Sequence, residues 1–112
     1  MPATLSTHVL DTARGKPAEG ILVGLFALAD GHRTHVATGT TNADGRAGAP
    51  LASGLAPGPY ELLFAVAEYF ARDGVASFFD AIPVRFNVTG DGAHYHVPLL
   101  LSPWGYSTYR GS

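Results

Sequence analysis

The 112-residue sequence contains no cysteine and only one lysine, one methionine and one tryptophan. Without cysteine there can be no disulfide framework and no thiolate nucleophile, and the redox compartment is left open. Lys16 is accompanied by six scattered arginines, so no basic stripe exists of the kind that tracks nucleic-acid phosphates. No segment approaches the roughly 20 apolar residues of a membrane-spanning helix. The opening "MPATLSTHVLD" has neither a basic n-region nor an apolar h-region. Neither nucleic acid nor membrane is therefore expected as a partner, and the default expectation is one cytoplasmic domain over residues 1–112. Charge is scarce as well: charged residues make up 14% of the chain against 46% hydrophobic ones, with a net charge of −2. That balance excludes a disordered chain. It also leaves a weakly charged surface, which points to contact between subunits.

What the chain has in quantity is punctuation. Fourteen glycines and eight prolines separate short runs rich in Val, Leu, Phe, Tyr and Thr, the pattern of an all-β sandwich. Strands are expected at 5–10, 21–29, 34–42, 47–51, 60–66, 82–88, 93–102 and 104–111. Asp-Gly turns stand at Asp30-Gly31, Asp44-Gly45 and Asp91-Gly92, and "ASGLAPGP" reads as a loop. "AEYFARDG" supplies the one short helix, with Glu68 and Arg72 four residues apart and Gly74 as its stop. Phe78 and Phe79 are expected to return the chain to the core. Eight strands and one helix make two packed four-stranded sheets.

The strand "AHYHVPLLLS" carries the first chemical signal. With period two, Tyr95, Val97, Leu99 and Leu101 form its core face. The other face holds His94, His96, Pro98, Leu100 and Ser102, a mixture too apolar for free solvent and too polar for a core. Pro98 removes a ladder donor and suggests an edge or an unusual partner. His8 lies on a strand where Ser6, His8 and Leu10 alternate against Leu5, Thr7 and Val9. Two or three imidazoles without a carboxylate or cysteine at ligand spacing do not define a metal site, and no metal or cofactor is expected. Arg46 follows the Asp44-Gly45 turn, which by spacing alone reads as a solvated hairpin charge.

Four stretches taken together, "LSTHVLD", "TNADGR", "EYFAR…SFF" and "HYHVPLLLSPWGYSTYRGS", resemble the transthyretin-related 5-hydroxyisourate hydrolases from Leu5 to Ser112. The "YRGS" ending is the most specific element, because hormone-carrying transthyretins share the sandwich and lack it. The resemblance implies a transthyretin-like sandwich, a homotetramer, and hydrolysis of 5-hydroxyisourate to 2-oxo-4-hydroxy-4-carboxy-5-ureidoimidazoline in purine degradation. It also implies catalytic roles for His8, Arg46 and His96 and substrate contacts from Tyr109, Arg110, Gly111 and Ser112, gathered in clefts between subunits. In the tail, alternation sets Ser107 and Tyr109 on one face and Tyr106, Thr108 and Arg110 on the other, which makes Tyr109 the stronger candidate for substrate contact.

Such a hydrolysis needs a base for water, donors for a developing oxyanion and a means of holding a flat ring. Histidine titrates near neutrality, and arginine offers a permanently charged planar fork. Direct water attack, with either His8 or His96 as the base, follows as the expected chemistry. His94 is expected to be peripheral. The competing expectations are a transthyretin-like carrier of small ligands without catalysis and a structural interaction domain.

Overall fold

The computed structural model describes residues 2–112. Its strands are β1 (Ala3–Asp11), β2 (Lys16–Pro17), β3 (Leu22–Ala29), β4 (His32–Thr40), β5 (Ala52–Leu55), β6 (Gly58–Phe64), β7 (Ile82–Val88), β8 (His94–Ser102) and β9 (Gly105–Thr108), with helix α1 (Val66–Ala71) between β6 and β7. Turn chemistry sets several of these limits. Asp30 and Gly31 both take positive φ, 51° and 75°, as a two-residue hairpin turn requires, and they join β3 to β4.

One sheet has the order β4-β3-β6-β7, all antiparallel. The other has the order β2-β1-β8-β9, with β5 also paired to β1. β2 and β5 share the outer edge of β1: β2 covers Leu10 and Asp11, and β5 covers Ala3 and Leu5. The second sheet is thus four positions wide, as expected, with one edge position divided between two short segments.

Alternation on β1 buries Ala3, Leu5, Thr7, Val9 and Asp11 and leaves Thr4, Ser6, His8 and Leu10 half-buried on the outer face. Leu5, Val9, Leu99 and Leu101 of this sheet pack in one core with Val23, Leu25, Leu62, Phe64 and Ile82 of the other. Burying a side chain of that size contributes about 1.5–3 kcal/mol, so the inward register of β1 is strongly specified. The far end of β1 is anchored by the buried Asp11 carboxylate. It accepts the Ala13 and Arg14 amides and, at 2.7 Å, the Tyr69 hydroxyl of α1. Burial first, and then the Asp11 contact, push that phenol up to about 12.

Three local expectations are corrected. The short strand expected at 47–51 is a run of bends, and the expected loop contains β5 instead. Pro50 has no amide proton to give, so pairing to β1 resumes only at Leu51, whose amide donates to the Leu5 carbonyl. Phe78 is 69% exposed rather than in the core, with its ring edge-on to Phe79, and it is Phe79 that packs against the core. Pro98 lies inside the sheet rather than at an edge: it pairs in parallel with His8 of β1, and the pairing of β8 with β9 stops at Leu99.

Candidate active site

The non-local event that builds the site is the parallel pairing of β1 with β8. It aligns Thr4 with His94, Ser6 with His96 and His8 with Pro98. Because the inner face is committed to the core, these residues share the outer face of the sheet. His8 and His96 thus come onto one surface from strands almost ninety residues apart.

Arg46 reaches the same surface through the "NADGR" turn. Asn42 Oδ1 accepts the amides of Asp44 and Arg46 at 2.9 and 3.1 Å, and the Asn42 amide donates to the Arg46 carbonyl at 2.9 Å. This side-chain turn is the ordinary use of asparagine in tight loops. Gly45, at φ 79°, then presses against β1 and accepts the Val9 amide at 2.8 Å. Arg46 follows as an antiparallel bridge partner of His8. Arg46 is exposed, as spacing alone assigned it, but its backbone is held beside a histidine by main-chain geometry.

The tail arrives from the opposite side. β9 pairs antiparallel with β8 from Gly105 to Thr108, and Gly111 bridges His96 in the same register. The ladder is interrupted between them. Extending the register by one residue from Leu99↔Thr108 puts Pro98 opposite Tyr109, where proline cannot donate. The Thr108 hydroxyl takes up the Pro98 carbonyl at 2.8 Å, and the Gly111 amide donates to the His96 carbonyl at 2.7 Å. A methyl group at Gly111 would sit 2.5 Å from His96 Cδ2. Glycine is what lets the tail backbone lie against that ring.

The remaining tail residues divide by face. The register sets Tyr109 on the His96 side, 58% exposed. The Arg110 guanidinium falls on the opposite side, 4.5 Å over the ring of the buried Tyr95, and both Tyr109 and Arg110 line a cleft of about 270 Å³ between the sheets with Tyr95, Val97 and Phe86. Within this chain Arg110 therefore does not join His8, Arg46 and His96. Ser112 is exposed, next to the bridged Gly111.

The electrostatics single out His96. Its burial, then the Arg46 guanidinium, then His8 and His94, hold its imidazole below the ordinary value of 6.5. A half-buried imidazole that stays neutral at neutral pH, beside a fixed cation, can accept a proton. Residues that the sequence reading passed over also belong here. Ser6 Oγ lies 2.7 Å from His96 Nδ1 and 3.0 Å from His94 Nε2, and the other ring nitrogen of His94 meets the Thr4 hydroxyl. The alternation of Thr4, Ser6 and His8 was visible in the sequence; their partner strand was not.

The fold and this surface together define a transthyretin-like sandwich carrying a two-histidine, one-arginine site on an outer sheet face. The chain belongs to the HIUase/Transthyretin family, whose model matches residues 5–111. It is 51% identical to the 5-hydroxyisourate hydrolase of Mesorhizobium japonicum, covering 96% of this chain and 91% of that one. Among solved structures it is similar to the 5-hydroxyisourate hydrolase of Klebsiella pneumoniae, with TM-score 0.86 and 42% identity over 97% of this chain and 99% of the other. It is also similar to an (S)-allantoin synthase, with TM-score 0.89 and 42% identity over 99% of this chain, and it spans 44% of that longer chain.

Proposed function

We propose that the chain hydrolyses 5-hydroxyisourate by direct attack of water on the ring acyl carbon. The observation that carries the reading is the pair of main-chain bridges, His8↔Arg46 and His96↔Gly111, which gather the histidines, the arginine and the tail on one face. Hydrolysis, the activity named for the relatives, calls for a base and an oxyanion donor, which a histidine and an arginine can supply. His96 takes the proton of the attacking water, and the oxygen of that water bonds to the acyl carbon. Arg46 faces the negative charge that develops on the acyl oxygen. The ring carbon–nitrogen bond then breaks, and the departing nitrogen takes up a proton. His8 positions or polarises the substrate, while Tyr109, Gly111 and Ser112 wall the flat ring. Arg110 tethers the tail through Tyr95 rather than touching substrate.

A homotetramer with its sites at subunit contacts is part of the proposal. The outer face is open in one chain, and Leu10, Leu100 and Tyr109 give it an apolar border suited to a second copy. Among the described residues no helix is long and apolar enough to cross a membrane, and a cytoplasmic location belongs to the same reading. A carrier without catalysis would have little use for a charged arginine held beside His8 and acting on His96.

The test follows the ultraviolet decay of freshly made 5-hydroxyisourate with and without protein, over a dilution series paralleled by sedimentation. Acceleration that tracks the tetramer is expected. Decay at the spontaneous rate would overturn the hydrolase reading, and active monomers would overturn the shared site.

The depressed pKa of His96 also fixes the sign of a pH effect. The base must be neutral, so kcat/KM should fall as pH drops through an acid limb centred below 6.5. His8 and Ser6 from β1, His94 from β8, Arg46 from its turn and the Gly111 backbone are the groups that face His96. Replacing Arg46 with Gln removes a nearby cation and should move the limb upward, even as overall activity falls. A limb at or above the ordinary histidine value, or a downward movement in Arg46→Gln, would contradict this assignment.

A further inference from the structure

Three side chains that the proposed chemistry leaves idle line up in a row that ends on His96. Ser6 Oγ stands between His96 Nδ1 and His94 Nε2, at 2.7 and 3.0 Å, and His94 Nδ1 is hydrogen-bonded to Thr4 Oγ1. The result is an unbranched chain, Thr4–His94–Ser6–His96, laid across β1 and β8 by their parallel register. Its two ends differ, since His94 is exposed and His96 is half-buried.

Proton counting restricts such a chain. A serine hydroxyl has one hydrogen to donate and two lone pairs with which to accept. A neutral imidazole has one N–H and one bare nitrogen. The three hydrogen bonds can then be made in three ways. In one, His96 Nδ1–H donates to Ser6, Ser6 donates to His94 Nε2, and His94 Nδ1–H donates to Thr4. In a second, Ser6 accepts from both His96 Nδ1–H and His94 Nε2–H, and Thr4 donates to His94 Nδ1. In the third every arrow of the first is reversed, and His96 carries its hydrogen on Nε2. Only the arrangements in which Ser6 accepts from His96 leave its Nε2 bare.

We propose that Ser6 and His94 are positioning residues that hold His96 in its Nδ1–H tautomer, leaving Nε2 free to accept the proton of the attacking water. The choice of direction rests on the hydrolase reading, because a base needs the bare nitrogen. The tautomer itself is a property of the resting protein and is measured without substrate. The hydrogen bond made by one ring nitrogen decides what the other can do, and here that bond comes from a serine fixed on a core strand. Gly111 packs against the carbon edge of the same ring, so the imidazole is restrained on two sides.

The experiment is two-dimensional 1H–15N NMR of the imidazole rings in the full-length protein, at a pH where His96 is neutral, alongside steady-state kinetics. The native protein should show His96 protonated at Nδ1. Ser6→Ala should shift it toward the Nε2–H form and lower kcat about tenfold or more, as a wrong tautomer does, with KM little changed. Ser6→Thr retains the hydroxyl and should restore both signal and turnover. His94→Ala, at an exposed position, should weaken the Nδ1–H preference in the same direction. His96 carrying its hydrogen on Nε2 in the native protein, or a Ser6→Ala variant with native tautomer and kcat, would overturn the proposal. An unchanged tautomer in His94→Ala would overturn the part assigned to that residue. A native protein that fails on 5-hydroxyisourate, yet shows the Nδ1–H form and loses it in Ser6→Ala, would sink the hydrolase reading and leave the tautomer lock standing.

Discussion

Replacing His96 with Ala should lower kcat by about 10²–10⁴-fold, the range for a lost general base. That corresponds to about 3–5 kcal/mol of transition-state stabilisation. The protein should remain folded, because His96 points away from the core and its neighbours Tyr95 and Val97 supply the inward contacts of that strand. KM should change little if His96 acts on water rather than on the substrate. Thermal unfolding measured beside the kinetics separates the two effects. A variant with native turnover would remove His96 from the mechanism and leave His8 as the candidate base. A variant with both lost turnover and collapsed stability would point to a structural role instead.

Gly45→Ala should cost both stability and turnover, although the residue lies outside the proposed catalytic set. The residue sits at φ 79°, and an added Cβ would lie 2.4 Å from the Val9 carbonyl oxygen. That oxygen belongs to the backbone of a core strand and cannot swing aside as a side chain would. The left-handed conformation costs about 1 kcal/mol without glycine, and overpacking adds about 1–3 kcal/mol. The turn is expected to retreat, losing the Val9–Gly45 hydrogen bond and the His8–Arg46 bridge. A total near 3 kcal/mol lowers the melting temperature of a domain this size by about 10–20 °C. Turnover should fall with it, since Arg46 leaves its place. Gly31→Ala is the control: φ is also positive, 75°, but nothing lies within 4 Å of the added carbon. It should cost only the conformational part. Equal losses in the two variants would show that φ, not the contact with β1, is what Gly45 provides.

The sandwich was legible because its signals are local. Alternation along β1, β7 and β8 identified their inward faces, and the Asp-Gly pairs marked turns that the structure contains. The misreadings have local causes too. The segment Ala47–Pro50 looks extended in composition but cannot pair, and β5 was hidden among residues that ordinarily form loops. Phe78 was assigned to the core by its hydrophobicity alone.

The site was legible in a different way. His8, Arg46, His96 and the tail residues were named from motif resemblance, while residue spacing by itself favoured solvent for Arg46. Sequence alone makes His94 peripheral and gives Thr4 and Ser6 no role, although Thr4 contacts His94 and Ser6 contacts both His94 and His96. A serine two residues before a histidine on an alternating strand is a common pattern. It acquires meaning only when another histidine pair lies beside it.

The sequence by itself determined which side chains face outward on β1, β7 and β8, where several turns fall, and which motifs mark the family. Side-chain period and turn preference are properties of neighbouring residues, so one chain read in order contains them. Tertiary structure alone decided that β1 runs parallel to β8, that the Asn42–Arg46 turn docks on His8, and that the tail reaches His96 through Gly111. Strand partners are joined by backbone N–H and C=O groups that are the same in nearly every residue. Their choice depends on burying the whole inner surface at once, and it was that choice which brought Ser6 and His94 to the edge of His96.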